Sequence, residues 1–222
     1  MVNISLIDIF QFLLLAARWT LLLSAIAFVG GGVGATLMLL WRYSHPKTGR
    51  PLMALYVQAF QGTPLLLQLF LVFFGLPLVG LDISPLAAAS ISLTLYAAAF
   101  LSEIWRGCVD AIPKGQWDAS ASLGMSFLSQ MVNVILPQSL RIAIPPTVGF
   151  LVQLLKSTAL ASIVGFDELL RAGQVISNAT FQPFVTYGLV ALIYFAMCYP
   201  LTLGSRILER RLNGHSELTR TK

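Results

Sequence analysis

Apolar residues in this chain run in long blocks. Short polar intervals separate them, and the blocks follow no strand-like alternation. Trp19 to Trp41 holds 23 residues without a charge, enough to cross ~30 Å of hydrocarbon at ~1.5 Å per residue. Trp at both ends of that block fits an interfacial aromatic belt. The same reading predicts spans over 19–41, 61–80, 85–105, 142–165 and 185–204. The fold class is an all-α integral membrane protein with about five transmembrane helices, forming a single domain over residues 1–222. Between the spans lie shorter pieces. Ile4 to Ala17 reads as a short interfacial helix, continuous with or bent against the first span. Leu52 to Phe60 is too short to cross and reads as an interfacial elbow. Thr63-Pro64 suits a helix start, with Thr as cap and Pro in the first turn. Gly30, Gly31, Gly32 and Gly34 sit mid-span, where small residues mark close approach to a neighbouring helix. Ser126 to Leu136 is an amphipathic return segment with Phe127, Met131 and Val134 on one face. Pro137 and Pro145-Pro146 interrupt helix, and Phe166 to Pro183 is the longest outer segment.

The one long polar interval between strongly apolar blocks is Glu103 to Arg141. A helix of about nine residues is predicted inside it, from Gly115 to Gly124. Asp118 falls in its first turn, favoured by the dipole, and Gly124 is the C′ residue. Helices this short are marginal alone, so it must dock. Trp117, Ala121 and Gly124 share a face, one large ring beside two small residues, suited to a partner's groove. Glu103 pairs with Arg106 one turn on.

With 57% hydrophobic and 10% charged residues, the composition is far from the ~25% charged of ordinary domains. The basic residues of such a chain report orientation rather than nucleic-acid binding. Eleven fall on one side: Arg42, Lys47 and Arg50, then Arg106, Lys114 and Arg141, then Arg206, Arg210, Arg211, Arg220 and Lys222. Three fall on the other: Arg18, Lys156 and Arg171. The positive-inside rule places the N-terminus outside and the C-terminus in the cytoplasm. Residues 106–125 are then a cytoplasmic loop. No basic n-region precedes the first apolar run, so that run is read as mature structure. Cys108 and Cys198 have no metal spacing, and His45 and His215 are isolated, so no metal site is expected. No phosphate-binding loop, catalytic dyad or nucleophile elbow is present. The chain is not expected to be an enzyme or to hold a cofactor directly.

The polar interval resembles the EAA loop of the membrane subunits of ABC import systems. The matching residues are Asp118-Ala119-Ser120, Gly124 and Ile135-Leu136-Pro137, with Asp118 in place of Glu and Ser120 in place of Ala. The flanks Glu103–Gly107 and Ile112–Gln116 resemble the polar-amino-acid branch of that family. So do Gln61–Leu66, Lys156–Leu160 and Asn178–Phe184. The resemblance runs from about Thr20 to Arg211. It implies a type I ABC importer permease in the bacterial cytoplasmic (inner) membrane, moving a polar amino acid inward. Its implied partners are a cytoplasmic ATP-binding subunit that carries the ATP, a second permease subunit of the same or a related chain, and an extracytoplasmic solute-binding protein. The implied ATPase-coupling residues are Lys114, Gly115, Gln116, Trp117, Asp118, Ala119, Ser120 and Gly124. The alternative class is a secondary transporter or channel for a small polar solute. That class favours internal repeats, and none is visible.

A solute path needs polar groups at bilayer depth, where a charge costs about 2.5–3.5 kcal/mol on insertion scales. Lys156 is the basic residue of the fourth apolar run, with Ser157 and Thr158 beside it. These three are the principal candidates for the path. The alternative is that Lys156 snorkels to the outer surface; the Lys-x-Ser/Thr-x-Leu pattern of the family that the chain resembles favours the path. Gln68 and Thr63 are weaker candidates for the same wall.

Overall fold

The computed structural model describes the backbone of residues 5–217 and side chains as far as residue 210. The described residues form helices and no strand. α1 is one unbroken helix, Leu6–Ser44, capped by the Ser5 hydroxyl. The segment read as an interfacial helix is therefore the first part of α1. Ile9, Leu13, Ala16 and Ala17 pack there against Leu169, Ala172, Ile176, Val190 and Ile193, and burial of that face keeps the helix running.

α2, Pro46–Gln61, and α3, Leu65–Leu78, meet at a 95° bend. The straight span expected at 61–80 is thus a bent pair. Pro64 lacks the N–H needed to continue the ladder, and a residue before proline is held extended. Pro64 itself is the N-cap of α3. Thr63 makes no cap. Its hydroxyl donates back to the Ala59 carbonyl at 2.7 Å.

α4, Pro85–Asp110, is the central helix. α1 lies along it through Leu23, Ala27, Ala35 and Gly31, facing Ala89, Leu93, Ala97 and Leu101. A Cβ at Gly31 would stand 2.5 Å from Ala97 Cβ, which gives the glycine-rich stretch its reason. Tyr56 of α2 donates to the Leu95 carbonyl at 2.8 Å.

After α4 comes α5, Lys114–Ser122, then α6, Phe127–Gln130. A π-helical turn, Met131–Ile135, joins α6 to α7, Leu136–Ser157. A 3₁₀ turn, Thr158–Val164, ends this run. Phe127–Val164 is one apolar helical run of 38 residues. The return segment and the span expected at 142–165 are therefore one continuous helical run. The wide turn brings the Leu136 N–H to the Met131 carbonyl. It carries the chain past Pro137, which cannot donate to the turn behind it. Pro145 and Pro146 sit inside α7 without ending it.

α8, Leu169–Thr180, fills most of the segment between Phe166 and Pro183, and α9, Pro183–Glu217, closes the fold. Four helical runs among the described residues are long and apolar enough to cross a membrane, and the bent α2–α3 pair makes a fifth. The side chains of Arg211, Arg220 and Lys222 lie outside the described residues.

Candidate functional site

Two regions hold the chemistry: the short loop helix α5, Lys114–Ser122, and a groove between α7 and α9.

α5 begins at Lys114, after the N-cap Pro113. Lys114, Gly115 and Gln116 fill its first turn, so Asp118 lies beyond it rather than in it. The C-terminal turn matches the expected form. Gly124 has φ +73°, its N–H bonds the Ala121 carbonyl at 2.9 Å, and the Met125 N–H reaches back to the Ser120 carbonyl at 3.3 Å. That is the Schellman pattern, and it needs a residue free to adopt positive φ. Nothing crowds a Cβ at Gly124, so conformation alone selects glycine there.

Trp117 does not face outward. Its ring packs on Val109, Ile112, Met131 and Ile135 and stacks on Phe127 at 6.3 Å between centroids. A nine-residue helix has too little surface to hold itself, and the ring anchors it to the chain's own cluster. Ser120 is buried beside it, its hydroxyl donating to the Trp117 carbonyl at 2.9 Å. The surface left for another protein runs from Lys114, Gly115 and Gln116 through Asp118, Ala119, Ala121 and Ser122 to Leu123 and Gly124, with Leu123 80% exposed. Leu123 was missed from sequence. Its signal is a large aliphatic residue at the helix end, just before the turn glycine.

Above α5, Arg106 binds both Glu103 and Asp110. The Glu103 pair was expected; Asp110 completes it from the next turn.

Lys156, Ser157 and Thr158 do not share one wall. Consecutive helical residues diverge by about 100°. Lys156 lines the α7–α9 groove with Val152, Tyr194, Cys198, Tyr199 and Arg206, among others, around a cavity of about 400 Å³. Ser157 borders a crevice of about 10 Å³ against Leu69 and Ser92, its hydroxyl donating to the Gln153 carbonyl. Thr158 is fully buried and donates to the Leu155 carbonyl at 2.7 Å.

Gln68 and Thr63 come together at the bend, away from the groove. The Gln68 amide donates to the Phe60 carbonyl at 2.8 Å, the Thr63 carbonyl at 3.1 Å and the Thr63 hydroxyl at 2.9 Å. It thereby satisfies a terminal carbonyl of α2 that Pro64 leaves without its partner. These contacts make Gln68 a clasp for the 95° turn.

Glu168 is the polar residue whose place sequence reasoning missed. It is fully buried and caps α8, accepting from the Arg171 N–H at 2.9 Å. Its other oxygen accepts from the Tyr194 hydroxyl at 2.8 Å and the Thr20 hydroxyl at 3.3 Å. Thr20 in turn accepts from the Leu169 N–H at 3.1 Å. Burial pushes the Glu168 carboxyl above its usual range, against the pull of these donors. One carboxylate thus ties α1, α8 and α9. The available signal was its place one residue before an apolar run, where a cap belongs.

The family model described as binding-protein-dependent transport system inner membrane component matches residues 29–214. The chain belongs to that family. Among its relatives, this permease is 36% identical over 205 residues to a probable amino-acid ABC transporter permease protein, YckA, of Bacillus subtilis, covering 92% of this chain and 91% of that one. It is 37% identical over 196 residues to the L-cystine transport system permease protein TcyB of the same organism, covering 88% and 84%. A solved amino acid ABC transporter with histidines superposes with a TM-score of 0.87 at 29% identity, covering 94% of this chain and 99% of that one. The MetNI methionine ABC transporter shares the fold, with a TM-score of 0.75 at 22% identity over 91% and 96%. The chain is a multi-pass inner-membrane permease of the ABC importer type.

Proposed function

We propose that this permease carries a polar amino acid inward. In this reading it pairs with a second permease subunit, the same chain or a relative. A solute-binding protein delivers the solute outside, and a separate cytoplasmic ATPase supplies the energy. The observation that carries the coupling is α5. It is a capped helix fixed by Trp117 to the end of α4 and to the π turn before α7, with Leu123 and the small residues Ala119 and Ala121 left uncovered. Motion of a docked ATPase reaches the long α6–α7 rod through that ring and the π turn.

This reading keeps Lys114, Gly115, Gln116, Asp118, Ala119 and Gly124 at the ATPase contact, moves Trp117 and Ser120 behind it as supports, and adds Leu123. Lys156 stays on the solute path, facing the groove. Ser157 and Thr158 act as scaffold beside it, and Gln68 and Thr63 as scaffold of the α2–α3 bend, away from the groove. Orientation follows the basic residues: N-terminus outside, C-terminus in the cytoplasm.

Leu123→Cys in a Cys108→Ser, Cys198→Ser background tests contact and orientation together. In sealed right-side-out vesicles an impermeant thiol reagent is expected to leave this cysteine unlabelled until the membrane is opened. With the ATPase bound, a short thiol cross-linker is expected to join the two chains. Labelling from outside would reverse the topology, and free labelling without cross-linking in the complex would remove α5 from the interface.

A further inference from the structure

We propose that the α7–α9 groove selects solutes by charge, admitting amino acids with neutral or acidic side chains and rejecting cationic ones. The proposal rests on the reading of this chain as an amino-acid permease and concerns which amino acids pass.

The cavity of about 400 Å³ is lined by Lys156 and Arg206 among hydroxyl, thiol and apolar groups, and no carboxylate is among its lining residues. Among the described residues, no carboxylate lies within 4 Å of Lys156 or Arg206. An unpaired cation inside an apolar helix is costly unless it faces water or a guest. Lys156 is exposed into the groove. Glu168 cannot supply the missing charge. It is fully buried behind Tyr194 and saturated by Tyr194, Thr20 and the start of α8.

A groove of this size suits a small solute. Lys156 pairs with the α-carboxylate that every amino acid carries. Thr202 donates its proton to the Cys198 carbonyl at 3.0 Å, which leaves its oxygen able to accept from the α-ammonium. A neutral side chain then meets Val152, Phe195 and Leu203, and an acidic one gains from Arg206. A lysine or arginine side chain brings a third positive charge into low-dielectric walls with no counter-ion, and like charges there repel strongly.

Cys198 lines the groove while Cys108 is buried, so Cys198 is a built-in reporter. The experiment uses the permease purified with its ATPase in lipid nanodiscs, in a Cys108→Ser background. Labelling rates are read with an anionic sulfonatoethyl and a cationic trimethylammonioethyl methanethiosulfonate. The anionic reagent is expected to react about tenfold faster, as a focused positive field predicts. Glutamine and glutamate are expected to slow labelling, and arginine is not. Lys156→Glu leaves Arg206 opposed by one carboxylate, so it is expected to abolish the reagent preference and let arginine protect. Equal protection by arginine and glutamine in the wild type would overturn the charge filter and leave the amino-acid reading standing. Labelling that no amino acid slows would overturn both. Labelling that follows the anionic-lipid content of the disc and ignores amino acids would assign the groove to a lipid headgroup and sink the proposal.

Discussion

Gly31→Ala is expected to destabilise the permease by about 1–3 kcal/mol, the usual range for forcing extra atoms into a packed core. The added Cβ would lie 2.5 Å from Ala97 Cβ and 3.0 Å from α4 backbone atoms. Neither neighbour is a flexible side-chain tip, so α1 and α4 must part. Their contact joins Leu23, Ala27 and Ala35 to Leu93, Ala97 and Leu101, and a shift there spreads along both helices. Gly32→Ala is the control one residue away. Its Cβ would meet only the Trp105 ring, at 3.6 Å, and replacing a helical glycine by alanine gains roughly 0.5–1 kcal/mol. Thermal unfolding in mild detergent, followed by size-exclusion recovery, should separate the two variants in opposite directions. Equal tolerance of both would mean that α1 and α4 do not pack through Gly31.

The second large effect belongs to Glu168. Glu168→Ala strips the cap from α8 and leaves the Tyr194 and Thr20 hydroxyls without their acceptor. Lost caps cost ~1 kcal/mol, and each buried polar group left unpaired costs ~1–3, so a loss of about 3 kcal/mol or more is expected. Glu168→Gln keeps one acceptor oxygen and should lose less. The carboxyl also sets a pH dependence. Its folded value is raised, so the folded state binds more protons than the unfolded one above the ordinary Glu value of about 4.3. Stability should therefore fall as pH rises from there to the raised value, then level off. Glu168→Gln should flatten that slope. A wild-type profile that instead rises through this window would show that the donors outweigh burial.

Helix placement was legible because lipid demands long apolar runs, as in Trp19–Trp41. What escaped was contact between distant segments. Trp117 reads as an outward ring because its helix is polar, but Met131 and Ile135 that cover it lie beyond the next turn. Lys156, Ser157 and Thr158 read as one cluster because they are adjacent in sequence, whereas a helix sends them to different neighbours. Thr63 reads as a cap because it precedes proline, but the 95° bend turns it toward Ala59 and Gln68. Glu168 shows the same limit: its partners Thr20 and Tyr194 lie 148 and 26 residues away. Gly124 was legible because its requirement is local.

The central claim is that this permease moves solute only when a separate ATPase drives it. The direct measurement is radiolabelled amino-acid uptake into proteoliposomes holding the permease alone, or the permease with its partner permease, where that is a different chain, and the ATPase, with the binding protein outside. The account predicts accumulation against a gradient only in the complete set with ATP inside. Accumulation by the permease alone, driven by a proton or sodium gradient, would contradict it and identify a secondary transporter.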